Sequence, residues 1–369
     1  MIRLILLLTV TAIFVIGLVM IFSTTSAEVL DHDLDKSTSQ ALLRQMLYAI
    51  AGGALTFLIW KTGYRNILHF SPQLLAFFTF LLLLVLIPGI GREVNGSKRW
   101  ISIAGLSFQP SEFVKYLVPA YFIHRYLQDG FLTLKPFLKV AGTVIVPMFL
   151  ILIEPNNGTT VVIGMVLIIL CLLTCVPFKY WGVPLLAFVL IGGVSAYNLP
   201  YVTARLKVYL HPELDLRGKG HQPYQAKIAA GSGQFLGKGP GNSLQKLSYL
   251  PEAQNDYIAA IYAEEFGFLG VFILICLYML VGYCGFHLLC GLTDPGGFYM
   301  GASIIFLICF QAFLNLGVVS GLLPSTGLNL PLFSQGGSSL MANIAVIGLF
   351  LNIVYTKDEL ECRKKSSSP

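Results

Sequence analysis

The chain has 369 residues, of which 56% are hydrophobic and only 11% charged, with a formal net charge of +6. Soluble domains carry about 25% charged residues. The shortfall here runs the length of the chain, so a water-soluble globular protein is excluded and an all-α integral membrane protein is expected.

Crossing about 30 Å of hydrocarbon takes roughly 20 apolar residues as a helix. Ten such spans are predicted, near 3–23, 44–61, 72–89, 110–128, 136–153, 158–178, 181–198, 256–288, 297–319 and 338–356. The first is followed by the small residues of "TTSAEV". Its apolar run exceeds the 7–15 residues of a signal-peptide core, so it reads as a retained anchor. With the first residue inside, the inner segments hold 11 of the 24 Lys and Arg, the short outer segments 6, and a long loop at about 199–255 the other 7. Positive charge in short loops marks the cytoplasmic side. Both ends of the chain are therefore expected in the cytoplasm, with the long loop outside, between spans 7 and 8. The whole of 1–369 reads as one polytopic domain. Six of the seven cysteines fall in apolar spans and Cys362 in the inner tail, so no disulfide framework is expected. Cys171 and Cys175 share a helix face but lack His or acidic neighbours, which favours packing over a zinc site.

Three outer segments collect the polar residues. In "GREVNGSKRWISIAGLSFQPSEFVK", Asn95-Gly96 signals a turn and "RWISIAGLSF" an extended hairpin-like piece. Trp100 suits the membrane interface, and Pro110 opens the fourth span. Glu112 and Lys115 are three apart on that helix, so they can pair. Ionisable groups at membrane depth face one another or a cavity. A structural ion pair and a substrate role stay equally open here.

The long loop includes "YQAKIAAGSG", with apolar residues at helical spacing, which predicts a short amphipathic helix on the membrane. "GSGQFLGKGPG" is not a nucleotide-binding loop, because Ser232 stands where a Gly is required and Gly239 where Ser or Thr follows the Lys. In the third segment, "NLGVVSGLLPSTGLNLPLFSQGGSSLMANIAVIG", Pro and Gly interrupt two apolar runs. Irregular backbone at membrane depth survives only when buried in protein or lining a wet cavity. Gln311 and Asn315 lie four apart on the preceding helix and predict a polar face. Asp256 opens the eighth span, and Glu264 lies about 12 Å further along the axis. An acid at that position either complements the helix dipole or faces an outer cavity.

Several long motifs, in order along nearly the whole chain, resemble the SEDS family of bacterial shape, elongation, division and sporulation proteins. They are "VNGSKRWI", "FQPSEFVK", "EPNNGT", "GSGQFLGKGPGNSLQKLSYLPEAQNDYIAAIYAEEFGFLG" and "NLGVVSGLLPSTGLNLPLFSQGGSS". The resemblance implies a peptidoglycan glycosyltransferase that polymerises lipid II on the outer face of the bacterial cytoplasmic membrane. "GNSLQKLSYLPEA" and "LGVVSGLLPSTGL" are more similar to the division branch than to the elongation branch, which implies septal work. The family's essential Asp maps to Asp256. Glu112 and Lys115 border the same cavity, and Arg44 and Arg99 match basic positions tied to it. Lys98, Arg205 and Lys238 complete the expected substrate-binding set. A divalent cation, Mg or Mn, enters only through the resemblance, since the sequence shows no metal-ligand cluster. Asn156 stands where the family has an acid, and Gln335 where it has a Tyr. The implied partners are a class B penicillin-binding protein and other division proteins of the membrane; no nucleic acid is expected. Small residues in "FGFLGVF" and "GGFYMGAS", among them Gly270 and Gly301, could admit the partner's anchor helix or simply pack spans eight and nine together. The rival functional classes are a lipid II flippase or other transporter and a non-catalytic scaffold.

Overall fold

Hydrocarbon offers a backbone no water to bond with, so apolar spans must satisfy their own N–H and C=O groups as helices. The computed structural model describes residues 1–32, 39–94, 97–103, 105–131, 133–186, 209, 220–246 and 253–366. In chain order these form α1 (Ile2–His32), α2 (Ser39–Thr62), the short α3 (Tyr64–His69) and α4 (Ser71–Leu86). A sheet of β1 (Gly91–Val94), β2 (Ser97–Ile103) and β3 (Leu106–Phe108) follows, then α5 (Ser111–Asp129), α6 (Leu134–Ile153) and α7 (Asn157–Leu173). Beyond them come α8 (178–186), α9 (His221–Ser232), α10 (Ile258–Leu289), α11 (Pro295–Val319) and α12 (Gly337–Ser366).

Among the described residues six helices are long and apolar enough to cross a membrane, and α4 and α7 are shorter apolar helices. Nine of the ten expected spans coincide with helices. The remaining one, expected at 181–198, begins within α8 and continues outside the described residues. α5 has the length of a span, yet it buries Ser111, Glu112 and Lys115 along with its apolar face. α11 and α12 are the most enclosed of the long apolar helices, with 72% and 78% of their spans buried against 17% for α2, and they form the centre of the bundle.

The expected hairpin is part of a three-stranded antiparallel meander, with Gly91 opposite Ile101 and Ile101 opposite Phe108. It is tied to the bundle at Ser107, whose carbonyl accepts from Tyr48 Oη at 2.8 Å and from Ser338 Oγ at 3.2 Å. On the opposite side, Asp294 caps α11 by accepting from Gly297 N at 2.7 Å. The same carboxylate accepts from Tyr64 Oη at 3.0 Å, while Tyr64 N donates to Asn352 Oδ1 at 2.9 Å.

Residues 320–336 run without regular structure between α11 and α12, and Leu328, Leu330, Leu332 and Phe333 are buried. Side chains take up the backbone groups that no helix satisfies. Asn315 Nδ2 donates to Leu328 O at 2.7 Å, Gln311 Nε2 to Asn329 O at 2.8 Å, Tyr278 Oη to Pro331 O at 2.6 Å and Gln45 Nε2 to Ser334 O at 3.3 Å. This strap is therefore buried in protein, one of the two settings such backbone requires.

One expectation needs correction and one choice is narrowed. The amphipathic helix forms as α9, but its buried Ala226 and Ala229 face protein, and Ser232 Oγ reaches Glu264 Oε1 on α10 at 3.2 Å. A helix with an available protein partner buries its apolar stripe there in preference to the membrane surface. Gly270 and Gly301 are both buried. A Cβ at Gly270 would lie 2.3 Å from Phe266 Cβ, and one at Gly301 would lie 2.5 Å from Leu289 Cδ2. Gly301 thus packs on Leu289 of α10, the second of its two readings, whereas the neighbours of Gly270 are Phe266 and Tyr262 of its own helix; the residues that α10 exposes beside Gly270 are Phe268, Leu269, Phe272 and Ile273.

Candidate active site

Asp256 lies in the turn that precedes α10, half-buried, at the end of the bundle that the Lys and Arg distribution assigns to the outside. Two features define its surroundings. Asn315 on α11 is buried and donates through Nδ2 to the Asp256 backbone carbonyl at 2.8 Å as well as to Leu328. It thereby ties the turn carrying the acid to the strap. Gly327 has a left-handed φ of 68°, and a Cβ there would come within 3.7 Å of Asp256 Oδ2. A side chain at 327 would thus project toward the carboxylate.

Arg99 on β2 docks on the turn between α6 and α7: Nε donates to Glu154 O at 2.8 Å and Nη2 to Pro155 O at 2.7 Å. Burial draws its pKa down, while the carboxyl groups of Asp256 and Glu154 raise it. The guanidinium is thus held in the field of two carboxyl groups. Asn156, in place of the family's acid, caps α7 by accepting from Thr159 N at 3.4 Å and donates to Ser111 Oγ at 3.4 Å. α7 closely approaches the strap here, since a Cβ on Gly158 would stand 2.6 Å from Thr326 O. The chain segments bearing Arg99, Glu154, Asp256 and Gly327 thereby meet at one end of the bundle.

The remaining expected residues distribute differently. Glu112 and Lys115 form a buried pair at 2.7 Å, and Lys115 Nζ also donates to Gln311 Oε1 at 2.9 Å. Through Gln311 and Asn329 they hold the strap from beneath. Lys98 is paired in register with Glu93. The ladder shifts register there, leaving Arg99 as the extra residue of β2 between Lys98 and Trp100, the kind of irregularity that re-aims a side chain. Arg44 is exposed on α2. Lys238 Nζ lies 2.6 Å from Glu264 Oε1. Arg205 falls outside the described residues.

Glu264 and Glu265, two buried acids near the start of α10, anchor the segment 232–246. Glu264 accepts from Lys238, Ser232, Ser243 and the amides of Leu244 and Gln245. Glu265 accepts from Lys246 Nζ at 2.9 Å and Ser23 Oγ at 3.1 Å. The loop reaches them because α10 is broken at Gly267, with φ 64° and ψ −165°. There Phe268 N and Leu269 N donate to Gln234 O and Phe235 O, and Lys238 N and Gly239 N donate to Glu264 O and Glu265 O. Two amides of the glycine-rich segment, Lys238 N and Gly239 N, are thereby taken up by α10.

Sequence reasoning did not single out Glu154, Ser111 or the bridging role of Asn315. Glu154 lies within the quoted "EPNNGT", where an acid directly after an apolar span was an available signal.

A half-buried carboxylate, a docked guanidinium and a buried second acid at the mouth of a helical membrane bundle suit proton abstraction and the binding of an anionic, membrane-anchored substrate. The family model for FtsW, RodA and SpoVE, described as cell cycle proteins, matches residues 3–359, and the chain belongs to that family. Stage V sporulation protein E of Bacillus subtilis is 36% identical over 351 residues, covering 92% of this chain and 93% of that protein. A protein of Alcanivorax borkumensis named "Probable peptidoglycan glycosyltransferase FtsW" is 36% identical over 359 residues, covering 95% and 92%. Among solved structures, a chain of a peptidoglycan synthase complex that coordinates polymerization and crosslinking superposes with a TM-score of 0.78 at 26% identity, covering 95% of this chain and 97% of that one. The rod shape determining protein RodA of Thermus thermophilus gives 0.69 at 25% identity, with 95% and 96% covered. The resemblance to the SEDS family is thus borne out, as is its multi-pass helical fold.

Proposed function

We propose that this chain is a peptidoglycan glycosyltransferase that polymerises lipid II at the outer face of the bacterial cytoplasmic membrane, in septal wall synthesis during division. The observation that carries the reading is the convergence of Asp256 and Arg99 at one mouth of the bundle. The sugar 4-hydroxyl of one lipid II attacks the anomeric carbon of the lipid-linked glycan while Asp256 takes its proton, a contribution of about 10²–10⁴-fold. Undecaprenyl pyrophosphate leaves with its electron pair, and the linkage inverts from α to β. Arg99, already fixed by two backbone carbonyls, meets the charge developing on the pyrophosphate. Among the described residues no three His, Cys, Asp or Glu side chains converge to hold an ion.

The Ser-x-x-Lys spacing used for peptide cross-linking occurs at Ser243–Lys246, but there Ser243 Oγ is bonded to Glu264 and Lys246 Nζ to Glu265, so the two serve the fold rather than as nucleophile and base. A class B penicillin-binding protein is this chain's partner on this reading, with other division proteins around them. The similarity to a chain of a complex that both polymerises and cross-links supports that pairing. Purified protein reconstituted with the transpeptidase and lipid II tests the proposal. Glycan strands should form with wild type and be absent with Asp256→Asn, which should remain folded and membrane-inserted. Near-normal polymer from Asp256→Asn would remove the general base. Movement of lipid II across vesicles without glycan product would favour a flippase, and neither activity a scaffold.

A further inference from the structure

Among the described residues the buried acids of this protein are satisfied with one exception. Glu112 has Lys115, Glu264 has five donors, and Glu265 has Lys246 and Ser23. Glu154 is 1% exposed, and neither Oε1 nor Oε2 has a hydrogen-bond partner. Buried polar groups are almost always paired, so an exception calls for an explanation. Glu154 sits one residue past the end of α6, and its own backbone carbonyl receives Arg99 Nε. The guanidinium and the unpartnered acid thus share one turn.

The charged groups bearing on this carboxyl are few. Arg99 acts on it directly from β2, and Asp256, before α10, acts on the same guanidinium. The adjoining residues Asn156 and, from α5, Ser111 are neutral and bond to each other. Burial pushes the Glu154 pKa up to about 8, with Arg99 pulling it down only in part. A carboxyl that keeps its proton is an O–H donor rather than an acceptor alone. Beside a guanidinium it completes a donor pair for an anion, where a carboxylate would repel one.

We propose that Glu154, carrying its proton, is a further substrate-binding residue that joins Arg99 in donating a hydrogen bond to the phosphate oxygens of the lipid-linked diphosphate. The proposal rests on the polymerase reading above and adds a neutral donor to a site otherwise described by its charges. The same phosphate chemistry occurs in an anionic phospholipid headgroup, so the test separates the two sources.

The experiment uses the full chain with its transpeptidase in lipid nanodiscs, measuring lipid II affinity, KM and kcat for wild type, Glu154→Gln and Glu154→Leu. Gln is a neutral donor of nearly the same size; Leu has none. Gln should keep KM within about threefold of wild type, whereas Leu should raise it about tenfold or more with a smaller change in kcat, the scale of one hydrogen bond to a charged group. Wild-type affinity for lipid II should fall as pH rises through about 8, and the Gln variant should not share that fall. Equal impairment of Gln and Leu would show that the ionised acid is what matters and overturn the proposal; so would an unchanged KM in Leu. If neither variant folds, the wild-type titration decides alone, and a flat profile across pH 8 overturns it. Competition by undecaprenyl diphosphate but not phosphatidylglycerol supports the substrate as the source; the reverse assigns Glu154 to the lipid surface and refutes it. Wild type that makes no polymer in these nanodiscs would instead overturn the polymerase reading itself.

Discussion

Lys115→Met removes the most deeply buried cation among the described residues. Lys115 is 1% exposed and Glu112 7%, with 2.7 Å between ammonium and carboxylate and 2.9 Å to Gln311 Oε1. Solvent screening is therefore absent, and deleting one partner strands the other. Lys115→Met leaves an unpaired carboxylate among apolar side chains, a loss of about 3–5 kcal/mol. Glu112→Gln strands the ammonium but leaves it Gln311 and a neutral acceptor, placing it at the lower end of that range. In the double variant both charges are gone, and the chief residual defect is the Gln311 oxygen without its donor, about 1–3 kcal/mol. The double variant should therefore be more stable than Lys115→Met alone, with a favourable coupling of about 2 kcal/mol or more. Reversible unfolding in mixed micelles, followed by denaturant titration of all four proteins, measures the cycle. Losses that add to within about 0.5 kcal/mol would mean the two groups act independently, and the ion-pair argument would be wrong.

Gly267→Ala should destabilise the protein by at least about 1–3 kcal/mol, since φ 64° with ψ −165° is essentially open to glycine alone. A Cβ there would also lie 2.3 Å from Gly237 N; a thermal midpoint equal to wild type would contradict the close approach. Glu264→Gln should release the segment 233–246, because Lys238, Ser243 and two amides lose a charged acceptor. Hydrogen exchange at the Leu244 and Gln245 amides should accelerate, and unchanged protection would show that the loop is held by other contacts.

Much of this protein was legible in its sequence because hydrocarbon is a strict solvent. A backbone that cannot bond to water must be helical there, so nine expected spans coincide with helices from apolar runs alone. The turn signal of Asn95-Gly96, which lies outside the described residues, and the strand-forming residues after it likewise announced the hairpin of β1 and β2, because turn and strand preferences are local. Asp256 was found because a charge at the end of an apolar run is visible by contrast.

Partners were another matter. Nothing local says that Lys238, which looked available to a substrate, lies against Glu264 twenty-six residues on. Nor does spacing reveal that Lys115 is spoken for by Gln311, 196 residues away. A helical projection assumes an unbroken helix, so it offers Glu264 and Glu265 no partners from the preceding loop. The break at Gly267 lets a distant loop reach both acids. Gly270 and Gly301 offered small surfaces whose direction a sequence does not carry, and the packed bundle turned them inward. Glu154 was hidden for the same reason: an unmet carboxyl is defined by what fails to reach it. Solvent preference is a property of each segment, whereas satisfying a buried charge is a property of the pair, and only the folded chain decides which pairs meet.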